Sequence, residues 1–251
     1  MPLPMPTDFA IRLACGLCAM LLVISPRSVP PAFFRTVCLI AMALLVAAGL
    51  TAAGAIGRVP MLAILASAVV AYLASALWGL GLPRVAIPAT LAIVALGCVL
   101  LVGFAGGSAG SPRIASLNFA SRGMSAALMG ASLAAMLLGH HYLTAPAMSI
   151  DPLRRFVAAM SATLAARAVL AAIALAVVIA SGSSPNVDFL FVAMRWGMGI
   201  VGPAVASAMT WQTVRLRSTQ SATGILYIAV TLVLFGELSG MILGHGVGVE
   251  L

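Results

Sequence analysis

The sequence predicts an all-α, polytopic integral membrane protein with eight transmembrane helices. Three observations carry that expectation. Of 251 residues, 63% are hydrophobic and 7% charged, and the mean hydropathy is +1.19; a water-soluble domain is about half apolar and a quarter charged. Eight apolar stretches fill the chain, and a helix needs ~20 such residues to cross a bilayer. The runs are continuous, whereas strands of a membrane barrel would alternate polar and apolar positions.

In order, the spans are Phe9–Ile24, Phe33–Ile56, Met61–Gly81, Ile87–Gly103, Met124–Tyr142, Phe156–Ser181, Phe189–Trp211 and Ser221–Gly244. Ser25-Pro26 and Pro30-Pro31 separate the first two, and Gly81-Leu82-Pro83 separates the third from the fourth. Proline lacks the N–H that a continuing helix needs. The Gly- and Ser-rich run 106–112 splits the chain most clearly, and 181–185 is the second such break. Asp8, Asp151 and Asp188 precede or open apolar runs and fit helix starts, as do the hydroxyls of Ser218 and Ser221. Abundant Ala and Gly let neighbouring helices approach closely. No soluble domain fits in what remains, so residues 1–251 read as a single membrane domain.

The run at 106–112 would divide that domain into halves 1–107 and 113–251. A shift of 133 positions aligns Trp78 with Trp211, Arg84 with Arg217 and Gly103 with Gly236. Two tandem four-helix units would produce such matches. Chance self-similarity in a chain this rich in Ala, Leu and Gly is the stronger account.

The formal charge of +8 rests entirely on arginine. Those arginines are scattered over short connectors, so nucleic acid is not an expected partner; the lipid bilayer is. Odd-numbered connectors and their flanks hold Arg27, Arg35, Arg84, Arg154, Arg155, Arg215 and Arg217, against Arg12, Arg58, Arg113 and Arg122 on the other side. The positive-inside effect then places the odd connectors in the cytoplasm and both termini outside, in a bacterial-type inner membrane. The first span, following Asp8 and Arg12, reads as retained and not as a cleaved signal. Cys15, Cys18, Cys38 and Cys98 lie in apolar segments and read as packing, with no metal site expected.

Ionisable groups within the hydrocarbon are costly unless paired or hydrated, which makes them the first functional candidates. Arg167, Arg195 and Glu237 are the three deep ones. At a rise of ~1.5 Å per residue, Arg195 and Glu237 lie ~9 and ~11 Å below the outer ends of adjacent spans, so they form the expected pair. Arg167 falls nearer the midplane, where backbone carbonyls, hydroxyls such as Ser161 and Thr163 in its own span, or a hydrated cavity would receive it. The three would line the pathway of a carrier for a small polar or anionic solute; a structural ion pair explains the same residues without a ligand. The string Gly139-His140-His141-Tyr142 supplies an alternative, a redox subunit holding haem b or quinone at His140, His141 and Tyr142. Aromatic-belt packing is the plainer account of that string. A third class, a non-catalytic anchor or assembly subunit, also stays open, as does a homo-oligomer or larger membrane complex. No paired-carboxylate, Ser-His-Asp or phosphate-cradling motif is present, so no catalytic residue and no enzyme activity are expected.

Overall fold

The computed structural model describes residues 3–105, 112–145, 148–180, 189–247 and 249–250, with the side chains of 104–105 and 245–247 excepted. Within them the chain is helical: α1 (Met5–Leu21), α2 (Pro31–Ala52), α3 (Arg58–Gly79), α4 (Pro83–Ala105), α5 (Pro112–Thr144), α6 (Asp151–Ala180), α7 (Phe189–Trp196), α8 (Gly202–Arg215) and α9 (Thr219–Val247). A π-helical turn, Gly197–Val201, joins α7 to α8, so the two form one rod. The run 106–111, the break 181–185, Asp188 and the side chain of His245 lie outside the described residues.

Seven of these rods are long and apolar enough to cross a membrane. The protein is therefore a multi-pass helical membrane protein. The expected first span, α1, falls short of that measure with 17 residues. Its setting explains its composition. Nearly every α1 side chain is buried, and the helix packs against α2, α4 and α5. Protein shields α1, so it carries Asp8 and Arg12 at little cost in lipid contact. The outer rods behave oppositely: Leu50, Val59, Leu62, Ile179 and Phe189 are widely exposed. A water-soluble surface does not carry apolar side chains at such density.

The rods pack in two cycles. Helices α1 to α4 close one, through α1 on α2, α2 on α3, α3 on α4 and α4 on α1. Helices α5, α6, α8 and α9 close the other in the same order, and the two meet along α1 and α5. Glycine sets that seam. A Cβ at Gly16 would fall 1.7 Å from the Ala126 carbonyl oxygen, and one at Gly130 would fall 2.1 Å from the Gly16 carbonyl carbon. Only glycine permits this backbone approach.

Local chemistry fixes the rod ends. Pro30 and Pro31 open α2, and α1 starts just after Pro4, whose backbone carbonyl accepts from the Asp8 N–H. Asp8 is thus not the cap expected of it; it lies in the first turn and α1 has no side-chain cap. Ser218 Oγ donates to Ser221 Oγ at the start of α9. Within the rods, hydroxyls turn back on their own backbone: Thr36, Ser67, Thr90, Thr210 and Ser239 each donate to the carbonyl four residues earlier. That pairing satisfies a hydroxyl where no water is at hand.

Candidate functional site: two buried arginine clusters

The first cluster is assembled from α6, α7 and α9. Glu237 accepts from Arg195 Nη1 at 2.8 Å and from Arg167 Nε at 3.3 Å. All three side chains are essentially inaccessible, at 0–1% exposure, which removes solvent as a competing partner. The backbone is shaped for this meeting. The π turn directly follows the Arg195 turn, and the wider turn brings Gly199 against Gly236. A Cβ at Gly236 would lie 2.0 Å from Gly199 Cα. The Gly199–Gly236 crossing therefore sets the reach between Arg195 and Glu237, and Arg195 Nη1 also approaches the Gly236 carbonyl at 3.4 Å.

The expected Arg195–Glu237 pair is present, but Arg167 joins it as well. Counting residues gives the depth of a Cα, whereas a guanidinium sits at the end of a long, bendable stem. Ser161 and Thr163 have other partners: Ser161 bonds the Val157 carbonyl and Ser207 Oγ, and Thr163 bonds the carbonyls of Ala159 and Met160. Arg195 Nε and Nη2 have no hydrogen-bond partner among the described residues.

The second cluster lies on the side of the bundle where α1 begins and α9 ends. Arg12 donates from Nε to Asp8 Oδ1 at 3.1 Å, one helical turn away. It also grips Glu250 with both terminal nitrogens, at 3.1 and 2.8 Å. Arg122 Nε reaches the same carboxylate at 2.9 Å, and the Glu250 backbone N–H donates to Asn118 Oδ1 at 2.9 Å. Arg12 is wholly buried, and Asp8 nearly so. Sequence reasoning missed this cluster, having read Asp8 as a cap and assigned Arg12 and Arg122 to connectors. The i, i+4 spacing of Asp8 and Arg12 was the available signal.

Burial alone would raise the Glu250 carboxyl, but Arg12 and then Arg122 outweigh it and hold it at about 2, against an ordinary 4.5. A carboxyl lowered by folding stabilises fully above its unfolded value and loses that contribution as pH falls through the folded one. The difference in melting temperature between wild type and Glu250→Gln should therefore be largest above pH 4.5 and close progressively toward pH 2. Parallel thermal scans across that range in detergent check it; a difference that grows on acidification would contradict the pairing.

The histidine string is not gathered on one point. His140 is exposed, its Nδ1 3.2 Å from the Tyr227 hydroxyl. The His141 ring faces Phe33 at 6.3 Å between centroids, and the Tyr142 hydroxyl donates to the Ser149 carbonyl. Three adjacent residues thus turn to three neighbours. Among the described residues no three His, Cys, Asp or Glu side chains gather as a metal site.

A groove of ≈ 520 Å³ runs between α6 and α8, lined by Ser161, Leu164, Ala168, Ile200, Ser207 and Arg215 among others. Ile200 belongs to the π turn and Ala168 follows Arg167 in sequence, so this groove abuts the elements that carry the first cluster. Arg215 marks its other end, and the Ser161–Ser207 hydroxyl pair, 2.6 Å apart, lies on its wall. No family model, curated protein or solved structure matches the chain.

Proposed function

We propose that the protein is a membrane carrier for a small anionic solute, bound where Arg167, Arg195 and Glu237 converge. One observation carries the reading: Arg195, buried against Glu237, keeps Nε and Nη2 without a hydrogen-bond partner among the described residues. A purely structural ion pair would use such buried donors, because leaving them unmet is expensive. An anion arriving at this cluster takes up those Arg195 donors. Arginine suits the task, since its planar fork matches carboxylate and phosphate oxygens in pairs. The α6–α8 groove, with a cation at one end and hydroxyls along its wall, supplies the approach. The cofactor is then none, and the partners are lipid and solute.

The same reading takes α1 as the eighth span. Arg12 in α1 and Glu250 after α9 are bonded, so α1 begins on the side where α9 ends. Seven crossings from α2 through α9 would end opposite to where they start, which supports one more from α1. The matching cycles of α1–α4 and α5–α9 support tandem units at 1–107 and 113–251.

Arg195→Gln tests the binding centre. It leaves Arg167 and Glu237 as a balanced pair, so the protein should still fold. Purified protein in proteoliposomes, screened against small carboxylates and inorganic anions, should lose uptake at least ~10-fold on this change, the factor that one lost charged contact of ~1.4 kcal/mol would give. Undiminished uptake by a folded Arg195→Gln protein would remove the site.

A further inference from the structure

The turn between α8 and α9 repeats the turn between α3 and α4, with one exchange. After α3, the Gly81 N–H donates to the Trp78 carbonyl at 3.1 Å and the Leu82 N–H to the Leu77 carbonyl at 3.0 Å. After α8, the Arg217 N–H donates to the Val214 carbonyl at 3.1 Å and the Ser218 N–H to the Thr213 carbonyl at 3.0 Å. Both pairs form the same helix-ending motif, whose left-handed residue is usually glycine. Gly81 meets that rule with φ +71°, whereas Arg217 stands in the same place with φ +57°. Among the described residues Arg217 is the one non-glycine with a positive φ. A Cβ there crowds the following carbonyl, a cost that glycine avoids. The turn carries arginine against its backbone preference, which points to the side chain for the reason.

Arg217 lines a cavity of ≈ 640 Å³, together with Tyr142, Ser149, Asp151, Arg154 and Thr219. The walls come from the end of α5, the start of α6 and the start of α9. Arg154 and Arg217 thus reach the cavity from two separate elements. Asp151 is the one acid on its wall among the described residues. The Asp151–Arg154 contact is loose, at 3.7 Å between side chains 71% and 43% exposed. Arg217 has no ion-pair partner among the described residues. The cavity lies at the ends of membrane-crossing rods, the level of lipid headgroups. Its size suits a whole small ligand rather than a lone ion.

We propose that this cavity binds an anionic phosphate ester, held between the guanidiniums of Arg154 and Arg217. A carboxylate offers two oxygens in one plane, which a single guanidinium fork can satisfy. A phosphate group turns its oxygens in several directions, so it can meet cations from α6 and from the turn before α9 together. The remaining volume takes the group esterified to it. Asp151 opposes the anion, so its neutralisation should tighten binding. The same chemistry arrives either as the headgroup of an anionic phospholipid or as a soluble ester. The site shares no residue with the Arg195–Glu237 cluster and does not depend on the carrier reading.

The test uses the full chain, delipidated in an uncharged detergent, with the thermal midpoint as the readout. Glycerol 3-phosphate is the soluble probe, set against sodium chloride at equal ionic strength. Phosphatidylglycerol in mixed micelles is the lipid probe, set against phosphatidylcholine. At least one should raise the midpoint saturably: a response to glycerol 3-phosphate identifies a soluble ester, and a response to phosphatidylglycerol alone identifies a headgroup. Arg217→Gly should weaken that response at least ~10-fold in apparent Kd, about the loss of one charged contact. Its ligand-free midpoint should stay at or above that of wild type, because glycine suits the left-handed turn. Arg154→Gln should weaken the response comparably, and Asp151→Asn should strengthen it. A lower ligand-free midpoint for Arg217→Gly would mark Arg217 as structural and overturn the proposal. So would the absence of any response in wild type, or a response that Arg217→Gly and Arg154→Gln both leave intact. A response to sodium acetate as large as that to the phosphate probe would overturn the phosphate assignment. A response lost in Arg195→Gln but kept in Arg217→Gly would place the anion at the buried cluster and overturn this site.

Discussion

Glu237→Gln will be the most damaging single substitution in the protein. The change is nearly isosteric, so packing around α9 barely alters. What changes is charge: Arg167 and Arg195, both 1% exposed at their side chains, lose the carboxylate that each touches. Removing one member of a buried ion pair costs about 3–5 kcal/mol, because the survivor stays charged and buried. Here two survivors are left, and they repel each other. The expected result is a steep loss of folded protein on detergent extraction, with a melting temperature far below wild type. The double variant Glu237→Gln, Arg195→Gln removes one of the orphaned charges and should recover part of that loss. Arg195→Gln alone should be much milder, since a balanced Arg167–Glu237 pair survives it. This ordering separates the charge argument from a packing one. If Glu237→Gln melts like wild type, the three-residue cluster does not exist as described.

The multi-pass helical architecture was legible because a bilayer admits so few solutions. Continuous apolar runs, broken by Pro and Gly, read directly as rods, and seven of the described rods meet the length and hydropathy of a span. Legibility failed at the rod ends. Apolar content alone starts the fifth span at Met124, but α5 begins at Pro112 and runs for 33 residues. Its added turns carry Asn118 and Ser121, both buried, and Arg122, whereas Pro112, Arg113 and Ser116 before them are exposed. A hydropathy reading trims away buried residues such as Asn118 and Ser121, for the reason that they are polar. Asp8 and Arg12 were likewise assigned to a boundary, although protein on three sides buries them in α1. The meeting of Arg195 with Glu237 was foreseeable from depth, and the addition of Arg167 was not, because side-chain reach is not encoded in residue counts. The π turn at Gly197–Val201 left a clue in its glycines, but single glycines are too frequent in this chain to point at one turn.

Gly236→Ala should cost both uptake and stability. The added methyl would lie 2.0 Å from Gly199 Cα and 2.4 Å from its backbone nitrogen. No rotamer can relieve a clash between two backbones, so the π turn and α9 must move apart. Overpacking of this kind costs about 1–3 kcal/mol and occasionally more, and a backbone obstacle belongs at the upper end. The displacement falls at the level of Arg195 and Glu237, whose bond now measures 2.8 Å. A shift of an ångström there takes the pair out of hydrogen-bonding range. Uptake should therefore fall at least as far as in Arg195→Gln, with a loss of stability that Arg195→Gln does not share. Gly16→Ala is the control at the other seam. Its methyl would fall 1.7 Å from the Ala126 carbonyl oxygen, so it should destabilise as severely while acting on the α1–α5 contact. Gly97→Ala provides an intermediate comparison: the Cys15 thiol at 2.7 Å can rotate away, but Cys15 Cβ at 2.9 Å moves only with its backbone. Melting temperatures and uptake for the three variants, measured side by side, decide the matter. Should Gly236→Ala retain wild-type uptake, the close approach of the π turn to α9 would not be what positions the anion site.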